Sequence, residues 1–178
     1  MNKIILLITL VFFFNSCQLF NRENSTKIVS KWRGKEIIFP VELTFKVLDR
    51  DTICKHLLEK SFKIFVYIDS IGCTSCRLEV LDWKIIIDSC RQQQINVGFI
   101  FAVHSSDFKR FEYEIRVNEF DYPIIYDYHN QFDKLNRFPP APYNTFLLDK
   151  DNKVCLVGSP INNPKMWELY KKEIIQSQ

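Results

Sequence analysis

Two cysteines three positions apart, in Cys73-Thr74-Ser75-Cys76, are the residues of this 178-residue chain whose type and spacing could do chemistry. A thiolate attacks a disulfide sulfur, and a second thiol one helical turn away displaces the product from the resulting mixed disulfide. The spacing makes Cys73 the candidate nucleophile and Cys76 the resolving thiol if the pair opens a helix. The first helical turn carries unpaired N–H groups and about half a positive charge, which favour thiolate over thiol. Half of a zinc site is the competing use of this spacing. It needs a second Cys or His pair at ligand spacing, whereas His56, His104 and His129 are isolated and Cys54, Cys90 and Cys155 stand singly.

The flanking sequence supplies such a placement. Phe62 to Asp69 is rich in β-branched and aromatic types and reads as a strand buried on both faces of a parallel sheet. After Ser70-Ile71-Gly72, the apolar residues Leu78, Leu81, Ile85 and Cys90, with Val80, Trp83 and Ile87 beside them, recur at helical spacing up to Gln92–Gln94. The C-x-x-C thus falls where a strand ends and a helix begins.

Around this centre, Trp32 to Pro40 reads as a loop running into a short edge strand ended by Pro40, and Val47 to Lys60 as a first helix. Ile95 to Val103 is a second buried strand. His104 follows at the sheet edge that carries Cys73, where it could assist proton transfer or be a solvated loop residue. Ser106 or Asp107 caps a helix over Phe108 to Phe120; Tyr122 to Tyr126 is a third strand and Gln131 to Arg137 a short helix. Phe138-Pro139-Pro140-Ala141-Pro142 is a stiff loop. Thr145 to Asp149 and Lys153 to Val157 form a hairpin about Lys150-Asp151-Asn152, and Pro164 to Ile175 is the last helix, with Met166, Leu169, Tyr170 and Ile174 on one face.

The first sixteen residues read as a targeting signal: basic Lys3, then an apolar run from Ile4 to Phe14 too short to span a bilayer. Phe14-Asn15-Ser16-Cys17 resembles the lipobox of bacterial lipoproteins, which implies lipid on Cys17 as first residue of the mature chain. An ordinary secretory signal or an uncleaved anchor is the alternative. The expected organisation is a signal over 1–16, a lipidated tether over 17–30 and one domain over 31–178. Export places the thiols in an oxidising compartment, the bacterial cell envelope on its periplasmic side or outer membrane. A net charge of +3 with interspersed signs leaves no nucleic-acid footprint. Hydrophobic content of 47% with four glycines suits a packed α/β core.

The order of elements resembles the thioredoxin fold in its larger, TlpA-like and peroxiredoxin-like (AhpC-TSA-like) form. This is an α/β fold with a central mixed sheet flanked by helices and an extra strand–helix insertion. The match lies over Phe62–Gln94 and over Thr145–Val157, where T-F-L-L-D-K-D-N-K-V is similar to the family's hairpin. More narrowly, the chain resembles envelope-tethered thioredoxin-like lipoproteins. That resemblance implies a thiol–disulfide oxidoreductase without cofactor or metal, acting on an envelope protein and recharged by an electron-donor protein. It also implies a substrate-facing loop with a cis-proline before the hairpin. Aligning Thr145-Phe146 puts Asn144 and Tyr143 at the Thr and proline positions, with Pro142 one residue early, so either a one-residue bulge restores the proline or the site lacks it. Gly72 stands where the family carries Trp, and Tyr67 where it often carries a buried acid; Asp69 could accept a proton or cap the strand end. A thioredoxin-fold binding module with a structural Cys73–Cys76 disulfide, a thiol peroxidase and a metallochaperone are the other functions considered. Cys90 and Cys155 read as packing residues, with a disulfide between them left open.

Overall fold

The computed structural model describes residues 25–48, 50–69 and 79–176. Among them, seven strands form one mixed sheet in the order β2-β1-β5-β4-β3-β6-β7. The centre is parallel: β3 (Lys63–Ile68), β4 (Gly98–Val103) and β5 (Ile124–Tyr126) run together, with Ile68 opposite Val103 and Val103 opposite Tyr126. On one side β1 (Phe45–Val47) and β2 (Arg50–Thr52) add antiparallel. On the other side β6 (Thr145–Leu148) pairs antiparallel with β3 and turns back into β7 (Val154–Val157).

Every residue of β3 and β4 is buried, as expected for strands covered on both faces. One face, with Ile64, Val66, Ile68, Phe99, Phe101 and Val103, meets three helices: α2 (Val80–Gln92), α3 (Phe108–Val117) and α5 (Pro164–Gln176). The opposite face, with Phe65, Tyr67, Ile100 and Phe146, meets Phe132 of α4 (Gln131–Asn136) and Trp32, which ends the helix over 25–32, α1.

Asp107 caps α3 by accepting from the Arg110 amide at 3.0 Å, and the Asp127 carboxylate caps α4 by accepting from Gln131 and Phe132 at 2.7 and 2.8 Å.

Four sequence expectations are corrected. Val47 to Lys60 is not a helix: β1, β2 and a single 3₁₀ turn (Lys55–Leu57) occupy it, because pairing of Phe45 and Lys46 with β5 outweighs a weak helix signal from Val, Thr, Ile and Cys. Ile37 to Pro40 forms no strand, only the isolated bridge Glu36–Lys153, flanked by Gly34 N–H on Val154 O and Ile37 N–H on Asn152 O. The inward face of α2 is Val80, Trp83, Ile87 and Cys90, while Leu81 and Ile85 are 59% and 68% exposed. The inward set keeps the 3.6-residue period about one line of the helix, which the overlapping apolar residues obscured. Residues 25–30, read as tether, are helical and lead into Trp32, which is buried; Ile28 and Trp32 sit four apart on one face.

Lys63, at the start of β3, is wholly buried and donates to the carbonyls of Leu58 (3.3 Å) and Lys150 (3.0 Å). It ties the 3₁₀ turn and the β6–β7 hairpin to the central strand. Burial lowers its pKa, against the opposing pull of Asp149 and Asp151. The folded chain therefore releases this proton at lower pH than the unfolded chain. Between the lowered value and the ordinary one near 10.5, the unfolded state holds more protons and stability rises with pH. Lys63→Met, which strands two carbonyls, is expected to cost about 1–3 kcal/mol. In urea titrations the wild type should gain on this variant as pH climbs towards 10.5; a constant gap would refute the assignment.

Candidate active site

Cys73 and Cys76 lie in residues 70–78, outside the described residues, as does Cys17. What the structure describes is the frame that holds both ends of the C-x-x-C segment. The chain leaves β3 at Asp69 and returns at Glu79, the residue before the first turn of α2, whose carbonyl accepts from the Trp83 amide at 3.1 Å. A cavity of about 320 Å³ opens there, walled by Val66, Glu79, Trp83, Pro142, Asn144, Thr145 and Ser159. It sits at the carboxyl end of the parallel strands, where open α/β sheets build their sites.

The loop before β6 forms one wall. Its Ala141–Pro142 bond is cis. The proline the family pattern calls for is therefore present, one residue ahead of the aligned position. Asn144 registers the loop on β3: its carbonyl accepts from the Tyr67 amide at 3.0 Å, and its side-chain amide donates back to the Tyr67 carbonyl. These bonds extend the β3–β6 ladder beyond the Val66–Thr145 pair.

Tyr67, at the position of the family's buried acid, is sealed beneath this loop. Its hydroxyl donates to Asn130 Oδ1 at 2.7 Å, and its ring stacks on Phe138 with centroids 4.4 Å apart. His104 occupies the expected edge; its amide donates to Ile68 O and its Nδ1 lies 2.8 Å from Asp127 O. A carbonyl only accepts, so Nδ1 carries the proton and a neutral ring keeps Nε2 as an acceptor.

Sequence reasoning missed Glu79, although a carboxylate three residues after Cys76 in the chain was a signal that could have found it. Its side chain is largely exposed at the cavity rim, and partial desolvation there raises its pKa, with Asp82 adding to the effect, against the helix dipole that favours its charge. A raised carboxyl pKa means that the folded chain holds the proton longer than the unfolded chain. Stability contributed by this group is complete below the ordinary value near 4.5 and is lost as pH rises through the raised one. Thermal melts of Glu79→Gln against wild type, taken between about pH 4 and 7, are expected to show the wild type losing ground as pH rises. The opposite slope would assign the carboxylate to an ion pair.

Cys54, Cys90 and Cys155 are free thiols, so Cys90 and Cys155 do not pair with each other. Burial pushes the thiols of Cys90 and Cys155 up to about 11, which keeps both protonated and unreactive at neutral pH. Among the described residues, no group of three His, Cys, Asp or Glu side chains could hold a metal ion, and no helix is long and apolar enough to cross a membrane.

A parallel β3–β4–β5 centre, an antiparallel closing hairpin, helices on both faces and a cis-proline loop beside the helix that follows the central strand make this a thioredoxin-like fold. Solved structures of that fold superpose over nearly their full length. The protein described as thiol:disulfide interchange protein DsbE from Chlorobium tepidum matches with TM-score 0.61 at 13% identity, covering 80% of this chain and 97% of its own. Peroxidoxin BcpB from Mycobacterium tuberculosis matches with TM-score 0.56 at 15% identity, over 82% and 97%. StoA from Bacillus subtilis matches with TM-score 0.52 at 17% identity, over 74% and 98%. No family model and no curated protein sequence matches the chain.

Proposed function

We propose that this protein is a membrane-anchored thiol–disulfide oxidoreductase of the bacterial envelope, tethered by lipid on Cys17, with Cys73 and Cys76 as its dithiol. The observation that carries the reading is the cavity at the carboxyl end of β3. Glu79, which directly follows the C-x-x-C segment in the chain, lines it together with Val66 of β3, and Pro142 and Asn144 form a wall across which a polypeptide can lie.

In the proposed cycle the Cys73 thiolate attacks one sulfur of a disulfide in an envelope protein, and the other sulfur leaves as a thiolate that takes up a proton. The Cys76 thiolate then attacks Cys73 Sγ, and the second substrate sulfur leaves and is protonated. Two electrons and two protons have passed to the substrate, and the Cys73–Cys76 disulfide is reduced again by an electron-donor protein. Glu79, whose pKa is raised by partial desolvation and by Asp82, lines the cavity and is the carboxyl group this reading assigns to proton exchange. Seven residues lie between Cys17 and Ser25, which makes eight Cα-to-Cα steps. Fully extended they span at most roughly 29 Å, so a lipid on Cys17 keeps the domain close to the bilayer.

The test is the redox equilibrium of the chain in graded thiol buffers, with alkylation of Cys73 and Cys76 followed by mass spectrometry. A reversible two-electron couple with a rapidly alkylated Cys73 supports the reading, and the potential separates reductant from oxidant. A pair that stays oxidised until the domain unfolds would instead mark a binding module with a structural disulfide. The likeness to a peroxidoxin keeps a thiol peroxidase as second reading, in which peroxide oxidises Cys73 to a sulfenic acid resolved by Cys76.

A further inference from the structure

We propose that α1, the helix directly after the segment read as tether, positions the substrate-facing loop of the oxidoreductase site; the proposal rests on that functional reading. Residues 138–144 include Pro139, Pro140 and Pro142, which have no N–H to give, and within the loop Tyr143 N–H bonds Pro140 O at 3.0 Å. Side chains therefore supply most of the holding, beside the Tyr67 N–H bond to Asn144 O and the Phe138 N–H bond to the Asp133 carboxylate. On the sheet side, Asn144 is bracketed by Tyr67. On the outer side the supports come from α1, more than a hundred residues earlier in the chain.

The Ser25 and Tyr143 hydroxyls share a hydrogen bond at 2.5 Å. At the other end of the helix the Trp32 ring stacks on Phe138, with centroids 5.7 Å apart and planes within 15°. Phe138 is sandwiched in turn against Tyr67. Helix α1 is itself anchored: Trp32 is 2% exposed, and Lys35 Nζ lies 3.8 Å over its ring while donating to Asn136 O at 2.9 Å. The loop is thus clamped at both ends between β3 and α1, with Pro142 and Asn144 turned to the cavity.

A small disulfide reaches Cys73 without lying on this loop, whereas a protein disulfide must bring its flanking chain across residues 142–144. Loosening α1 therefore weakens capture of protein substrates and leaves the thiol chemistry alone. Ser25 is not part of the cavity wall and reaches the loop through the Tyr143 hydroxyl, so it is a positioning residue.

The experiment uses the full chain, with dithiothreitol as reductant, and compares wild type, Ser25→Ala and Ser25→Thr. For reduction of insulin disulfides, Ser25→Ala is expected to raise KM about three- to tenfold, the size of one part-buried hydrogen bond. Its kcat and its rate with 5,5′-dithiobis(2-nitrobenzoate) should be unchanged, Ser25→Thr should restore KM, and amide exchange at Tyr143 should quicken in Ser25→Ala alone. In an active enzyme an unchanged KM overturns the proposal, as does an equal loss with both substrates that Thr does not restore. If the wild type reduces neither disulfide, the oxidoreductase reading has failed on its own, and exchange decides the coupling: faster at Tyr143 in Ser25→Ala sustains it, unchanged overturns it.

Discussion

Cys73→Ser is expected to bring insulin reduction down to the dithiothreitol background, and Cys76→Ser to accumulate a covalent enzyme–substrate mixed disulfide. The asymmetry follows from the two roles. Without Cys73 no thiolate stands at the position that attacks, so no bond to substrate forms. Without Cys76 the first bond forms but no neighbouring thiol displaces it. Non-reducing electrophoresis with mass spectrometry reads both results, as a higher band in Cys76→Ser that dithiothreitol removes and as its absence in Cys73→Ser. Trapping through Cys73→Ser instead would exchange the roles. No trapping in either variant, with turnover intact, would remove the pair from catalysis. The three other thiols of the domain do not confuse the experiment: Cys90 and Cys155 are held protonated by burial, and Cys54 is itself buried.

Phe65→Ala should be the most damaging single truncation of the fold. Phe65 is fully buried in β3, and its ring lies 5.5 Å from those of Phe39 and Phe132, 5.6 Å from Phe138 and 6.4 Å from Phe146. One ring thus joins α4, the β6–β7 hairpin and the root of the cis-proline loop. Truncation removes its transfer free energy and leaves a cavity lined by rings held on separate elements, for about 3–5 kcal/mol. At roughly 2–4 °C per kcal/mol for a domain of this size, the midpoint falls by roughly 6–20 °C. Calorimetry checks this. Phe65→Leu should lose clearly less, and a loss below about 1 kcal/mol in Phe65→Ala would mean that the aromatic cluster collapses to fill the space.

The strands and helices that wrap the site were largely legible because their chemistry is local. Phe62 to Asp69 and Ile95 to Val103 announced buried parallel strands by their density of β-branched and aromatic residues, and the structure places β3 and β4 within them. A cap at Ser106 or Asp107 was readable because a short polar or acidic side chain before an amphipathic run satisfies the free amides of the first turn, and of the two it is Asp107 that accepts from Arg110. The misreadings fell where local preference is weak and a distant partner decides. Phe45 to Thr52 became a hairpin through pairing with β5, nearly eighty residues on, and the inward line of α2 was chosen by the sheet it meets.

By itself the sequence determined that two cysteines stand three apart between a buried strand and an amphipathic helix, and that a proline-rich loop precedes a closing hairpin. Those are statements about neighbours along the chain, and spacing and side-chain type suffice for them. Only the tertiary structure decided that Pro142 and Asn144 share one cavity with Glu79 and Trp83, that Asn144 brackets Tyr67, and that Ser25 reaches Tyr143. Each of these joins segments sixty to more than a hundred residues apart. Such contacts depend on which faces of the sheet are buried together, and that is fixed by packing across the whole domain rather than by any stretch of it.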